Sequence, residues 1–156
     1  MGKHQDLRHP QVIFGPTRQR GNFLELLNDV QYSVRIYQQS IQDDGIAKVL
    51  TQLCKKGINV EIMMMPFPFG KKEDKNLSNQ KILIQSGAKV FLNQKNYIHA
   101  KVLIIDHDTS SSIMYIGSCN FYQPLIDTSR ELGITTNNRI QIKKIVDIFE
   151  EDKKTR

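Results

Sequence analysis

Short apolar runs of strand length alternate along this chain with helical stripes that end on glycine, and that alternation restricts the fold more than any other feature. Ser33 to Gln38 alternates as a strand. Asp43 or Asp44 then caps a helix whose apolar stripe is Ile46, Val49, Leu50 and Leu53. Lys55-Lys56-Gly57 closes it, with cations at the negative end of the helix dipole and glycine as the stop. Asn59 to Met65 reads as a buried strand, Leu77 to Gln85 as a helix ended by Gly87, and Lys89 to Leu92 as the next strand. Such a succession predicts a layered α/β domain with a mixed, mainly parallel β-sheet flanked by helices on both faces.

The flanks fit the same plan. Val12-Ile13-Phe14 is a short apolar run stopped by Gly15-Pro16, and from Gly21 onward Phe23, Leu26, Leu27 and Val30 recur at helical spacing. Ile113 to Ile116 and Leu132 to Thr135 read as strands. Arg139 to Phe149 is an amphipathic helix with Ile142, Ile145, Val146 and Phe149 inward. The expected division is a flexible N-terminal segment over 1–10, one domain over 11–150 and a charged, frayed tail over 151–156.

No apolar run approaches the length of about 20 residues that spans a bilayer, and the N-terminus lacks the apolar core of a signal peptide. A cytoplasmic location is the expectation. Cys54 and Cys119 are too few and too far apart for a zinc site or a disulfide framework, and both read as free thiols in a reducing compartment. The net charge of +6 and pI of about 9.3 favour a polyanionic partner, either nucleic acid or an anionic membrane lipid surface.

Chemistry gathers between residues 97 and 131. The segment His99-Ala100-Lys101-Val102-Leu103-Ile104-Ile105-Asp106 reads as a strand with His99, Lys101 and Leu103 on one face, which sets the imidazole and the ammonium about 7 Å apart along the chain. The strand at Ile113 runs directly into Gly117-Ser118-Cys119-Asn120, and Glu131 follows. If the two strands pair, that turn lands beside His99. Tyr97 and Asn96, just before the histidine, are placed to line the mouth of a site. A phosphodiester repels nucleophiles through its anionic oxygens. A neutral imidazole can attack phosphorus and form a covalent phosphohistidine, positive groups can hold the equatorial oxygens, and a second acid can protonate the leaving oxygen. That scheme requires no metal and no cofactor, and the sequence offers no metal-binding cluster.

His-x-Lys-x4-Asp followed by Gly-Ser-x-Asn resembles the HKD signature of the phospholipase D superfamily. The resemblance extends to SVRIYQQSIQDDGIAKVLTQLCKKGINVEIMM, to YIGSCNF and to SRELGITT, and so covers roughly residues 11 to 150. It implies a phospholipase D-like fold. It also implies that His99 is the nucleophile in one copy of the motif and the general acid in another. Lys101 and Asn120 would bind the phosphate oxygens, Ser118 would add a hydroxyl contact, and Glu131 would accept a hydrogen bond from the His99 ring. Gly117 and Asp106 belong to the signature. Asp106, about 23 Å along a straight strand from His99, reads as structural or as a turn cap. Ten residues separate Asp106 from Gly117 where the family has about six, so His107 to Ser112 reads as a lengthened hairpin turn. His107, His4 and His9 are expected to be idle.

The mechanism needs two such histidines and this chain carries one. The expectation is a homodimer that meets across the motif, or else one half of a larger two-motif protein. Three functions stand open: a nuclease on DNA or RNA, favoured by charge; a phospholipase D or cardiolipin-synthase-like phosphatidyl hydrolase or transferase; and a non-catalytic phosphate-binding module. Pro66-Phe67-Pro68-Phe69-Gly70-Lys71-Lys72 reads as a long loop, whose Phe67 and Phe69 with Lys71, Lys72 and Lys75 could stack on bases and track a backbone, or dip into a lipid interface.

Overall fold

A computed structural model describes Leu7, residues 9–66 and residues 74–155. The elements in chain order are β1 (Gln11–Phe14), α1 (Gln19–Asn28), β2 (Ser33–Tyr37), α2 (Asp44–Lys55), β3 (Asn59–Met64), α3 (Asp74–Gln85), β4 (Lys89–Leu92), β5 (Val102–Ile105), β6 (Ile113–Gly117), α4 (Gln123–Thr128), β7 (Leu132–Thr136) and α5 (Arg139–Lys154). The strands form one sheet in the order β1-β7-β6-β5-β2-β3-β4.

Helix α2 shows how local sequence writes an element. The Asp43 carboxylate accepts the Ile46 N–H at 2.8 Å and caps the first turn. Ile46, Ala47, Leu50 and Leu53 are buried against the sheet, each large aliphatic contributing about 1.5–3 kcal/mol. Gly57, at φ +84°, ends the run.

The sheet separates two cores. On one face Ile13, Val34, Ile36, Val60, Ile62, Leu103, Ile105 and Tyr115 pack under Phe23 and Leu27 of α1, Ile46 and Leu50 of α2, Leu83 of α3 and Ile126 of α4. On the other, Tyr37, Met63, Val102, Ile104 and Met114 pack against Ile142 and Phe149 of α5. The expected mixed α/β sheet with helices on both faces is therefore present.

The expectation of a mainly parallel sheet requires correction. Only β2–β3 and β3–β4 pair in parallel, while β1–β7, β7–β6, β6–β5 and β5–β2 are antiparallel. The two parallel pairs follow the α2 and α3 crossovers, which have the dozen or more residues that a parallel pair needs. The short 106–112 connection makes β5–β6 antiparallel, while β1–β7 and β2–β5 join strands far apart in sequence, whose direction no single connection sets. Helix α4 itself escapes the sequence pattern, because six residues with Pro124 near the start carry no full apolar stripe.

The chain ends also differ from expectation. The last residues are helical through Lys154 rather than frayed. Asp152 accepts the Tyr37 hydroxyl at 2.6 Å, and Lys153 sits 3.3 Å from Glu61. Near the other end, Leu7 is buried in the larger core and the Thr135 hydroxyl donates to the His9 carbonyl at 3.1 Å. His4 lies outside the described residues.

Candidate active site

The strand containing the lysine starts later than its apolar pattern suggests. β5 begins at Val102, so His99, Ala100 and Lys101 form an extended approach to the sheet. The Gly117 N–H donates to the Lys101 carbonyl at 3.2 Å, which carries the β5–β6 ladder one step past the strand. The expected pairing of the two motif strands is thus present, with Leu103 facing Tyr115 and Val102 facing Ile116. It brings the Gly117–Asn120 turn to the same end of the sheet as His99. That end also holds the carboxyl ends of β2, β3 and β4, where open α/β sheets place their ligands.

Gly117 and Gly133 face one another across β6 and β7. A Cβ on either would overlap the Tyr115 ring. The ring stacks edge-on against Phe23 at 5.1 Å, so the glycines let an aromatic core close directly beneath the turn.

Lys101 is nearly buried, at 7% exposure, and its Nζ donates to the His99 carbonyl at 2.6 Å. No carboxylate lies within ion-pairing distance of that ammonium among the described residues. Burial lowers its pKa, and the nearby Glu131 charge opposes that shift. A desolvated cation without a direct counter-ion is suited to receive an anion.

The Ser118 hydroxyl donates to the Glu131 carboxylate and accepts the Leu132 N–H at 3.1 Å. Glu131 therefore holds Ser118; the expected bond from the His99 ring to Glu131 is not among the hydrogen bonds of the described residues. The His99 side chain is exposed, with its ring 6.4 Å from that of Tyr97. Tyr97 in turn receives a hydrogen bond from Gln39 Nε2 at 2.5 Å. His99 borders a groove of about 300 Å3 lined by Tyr37, Tyr97, Ile98, Val102, Ile145 and Ile148. This sets it beside Val102 and the α5 face. Strand alternation does not reach back to His99, because the strand has not yet begun.

Asn120 Oδ1 is buried and has no hydrogen-bond partner. The Cys119 thiol is pushed up to about 12 by burial, so it is a neutral packing group and not a nucleophile. Cys54 is half-buried, and burial raises its thiol as well.

Asp106 stands at the opposite end of β5 and takes no part in this cluster. It is 2% exposed, with φ +49°. Its carboxylate accepts the backbone N–H groups of Gln31 at 3.1 Å, Tyr32 at 2.7 Å and Ser33 at 2.9 Å. His107, expected to be exposed and idle, is half-buried and bonded: Nδ1 lies 3.3 Å from the Ser33 hydroxyl and Nε2 2.8 Å from Asp108. Of the loop residues, Phe67, Phe69, Lys71 and Lys72 lie outside the described residues, and Lys75 pairs with Asp44 at 3.0 Å.

The sequence reading missed a polar floor under the site. Gln38, Gln39, Ser40, Gln42 and Asp43 follow β2 and are all buried. A run of amides directly after an apolar strand is the signal that marks it. Behind it, Arg20 joins Asp43 at 2.6 Å and Asp127 at 2.9 Å.

Comparison with known proteins agrees with this fold. The family described as cardiolipin synthase, PLD-like domain, matches residues 23–153. The cardiolipin synthase of Listeria welshimeri is 24% identical over 139 residues, which are 85% of this chain and 27% of that protein; the chain thus spans well under half the length of that relative. Among solved structures, Nuc of Salmonella typhimurium, a phospholipase D family member, superposes with a TM-score of 0.80 at 20% identity, covering 94% of this chain and 96% of that one. NucT from Helicobacter pylori superposes with a TM-score of 0.74 at 20% identity over the same shares. With the family match running from α1 to the end of α5 over this sheet and this turn, the chain belongs to the PLD-like domain family of the phospholipase D superfamily.

Proposed function

We propose that this protein is a phosphodiesterase that works through a covalent phosphohistidine on His99 without a metal, with nucleic acid as its substrate. The observation that carries the reading is the Lys101 ammonium, desolvated, bonded to the His99 carbonyl and without a direct counter-ion among the described residues, at the sheet end that also holds the Ser118–Glu131 pair. His99 attacks phosphorus, and the P–O bond to the leaving oxygen breaks as the P–N bond forms. Lys101 and the Asn120 amide hold the oxygens on which charge develops. Water then cleaves the P–N bond and releases the phosphate ester. The charge of +6 supports a polyanionic substrate.

The leaving oxygen needs a proton, and the reading assigns it to the histidine of a second copy. The sheet supports such a partner. Val12 and Phe14 of β1, Ile116 of β6 and Leu132 and Ile134 of β7 are all exposed. They are contiguous: Val12 faces Ile134, Phe14 faces Leu132, and Ile134 faces Ile116. Helix α5 packs on β2, β3, β5 and Met114 of β6 and leaves this apolar area bare. Bare apolar sheet of this kind marks an interface, and a two-fold partner seated there brings its own histidine to the site.

A second reading rests on the cardiolipin synthase relatives and on the apolar groove beside His99: a phosphatidyl group as substrate, with hydrolysis or transfer to an alcohol. Purified protein with EDTA, given single- and double-stranded DNA, RNA, and cardiolipin or phosphatidylglycerol vesicles, separates the two. Cleavage of nucleic acid that is lost in His99→Ala supports the proposal. Turnover of lipid alone replaces it with the second reading, and inactivity on every substrate leaves a phosphate-binding module.

A further inference from the structure

Asn120 is the group whose aim most depends on the rest of the fold. Its Oδ1 makes no hydrogen bond, so nothing bonded to that atom orients the side chain. Its direction follows from the backbone of the turn, and that backbone is held from another strand.

Gln38 is the first residue beyond β2 and is 1% exposed. Val34 and Ile36 point to the core under α1–α4, and strand alternation carries Gln38 to the same side. Its Nε2 donates to the Cys119 carbonyl at 3.2 Å, and its Oε1 accepts the Phe121 N–H at 3.0 Å. Those two backbone groups flank Asn120. The following residues reinforce the grip, because the N–H groups of Gln42 and Asp43 both donate to the Phe121 carbonyl, at 2.8 Å and 3.0 Å. A single amide thus supplies, on two separate atoms, the donor and the acceptor that two buried backbone groups require, and neither a carboxylate nor an apolar side chain offers both.

We propose that Gln38 is a positioning residue: by clamping the backbone on either side of Asn120 it aims the Asn120 amide at the phosphate, while touching neither the substrate nor His99. The inference rests on the phosphodiesterase reading above.

The test uses the full chain and bis(p-nitrophenyl) phosphate. Gln38→Met keeps the volume and removes both hydrogen bonds. A displaced Asn120 lowers kcat by about 10²-fold while KM stays near its original value, in protein whose circular dichroism is unchanged. Gln80→Met removes another buried amide, in α3, which has no hydrogen bond to the turn, and it leaves kcat near wild type. Gln38→Glu gives a sharper readout. Its protonated acid can donate to Cys119 and accept from Phe121, whereas its carboxylate cannot donate. Its activity relative to wild type therefore rises as pH falls, a dependence that Gln38→Met lacks. This second variant keeps the test intact if Gln38→Met does not fold. A kcat for Gln38→Met within a few-fold of wild type overturns the inference, and so does an equal loss in Gln80→Met or a Gln38→Glu ratio flat with pH. Wild-type protein inert on every phosphodiester overturns the phosphodiesterase reading and this inference with it; active wild type beside unimpaired Gln38 variants overturns this inference alone.

Discussion

At the scale of single residues, burial decides which charges are held ready and which are structural. Lys101 loses hydration, which lowers its pKa, and Glu131 partly restores it. The ammonium therefore deprotonates at lower pH than a free lysine, and a reaction that needs it declines early on the alkaline side. Glu131→Gln removes the opposing charge and moves the alkaline limb of kcat/KM to still lower pH; a limb that stays or moves upward in a pH–rate series contradicts the assignment. Asp106 is the reverse case. Three backbone amides depend on its carboxylate, of which that of Ser33 is buried, and a buried amide left unpaired costs about 1–3 kcal/mol. Asp106→Ala is expected to lower the unfolding free energy by several times RT in a urea titration and to leave the kcat of the folded protein unchanged.

At the scale of elements, the Arg20 guanidinium joins three helices. It lies on α1, bonds Asp43 at the cap of α2 at 2.6 Å and bonds Asp127 of α4 at 2.9 Å. Burial alone would raise the Asp43 pKa, but the Arg20 hydrogen bonds and the Ile46 N–H outweigh it and hold the carboxyl below its ordinary range. Asp127 is held low as well, first by Arg20. A carboxyl depressed on folding adds stability at pH values above its unfolded pKa, and that contribution is lost as pH falls through the folded pKa. The wild-type melting temperature should therefore drop steeply below about pH 4. Arg20→Gln should melt lower at pH 7, with a shallower acid slope, so that the two curves converge in acid. Parallel curves from differential scanning fluorimetry across that range would refute the coupling.

At the scale of the whole molecule, the α5 layer covers only part of one sheet face, and the bare part is apolar. Ile134 sits at its centre, between Val12 and Ile116. Ile134→Lys places a charge there without touching either core. Light scattering after size exclusion should then show a dimer for the wild type and a monomer for the variant, with phosphodiesterase activity falling in step and circular dichroism unchanged. A wild-type monomer at working concentration would remove the two-fold site.

Much of this protein is legible in the chain because the signals are local. The Asp43 cap, the Gly57 stop, the α2 stripe and the β5–β6 hairpin depend on residues within a turn or two of one another, and the His99–Lys101–Ser118–Asn120–Glu131 signature is a matter of spacing. What the tertiary structure decided depends on which strand lies beside which. Strand direction is not legible because two of the antiparallel pairs, β1–β7 and β2–β5, join strands far apart in sequence, and the end of α5 is not legible because its charges find partners on β2 and β3. Gln38 reaches Cys119 across 81 residues and Gln39 reaches Tyr97 across 58; no periodicity spans such distances. The candidate site residues are written locally, and the polar contacts that hold the turn come from distant residues, because only the folded sheet and its helices bring such atoms within hydrogen-bonding reach.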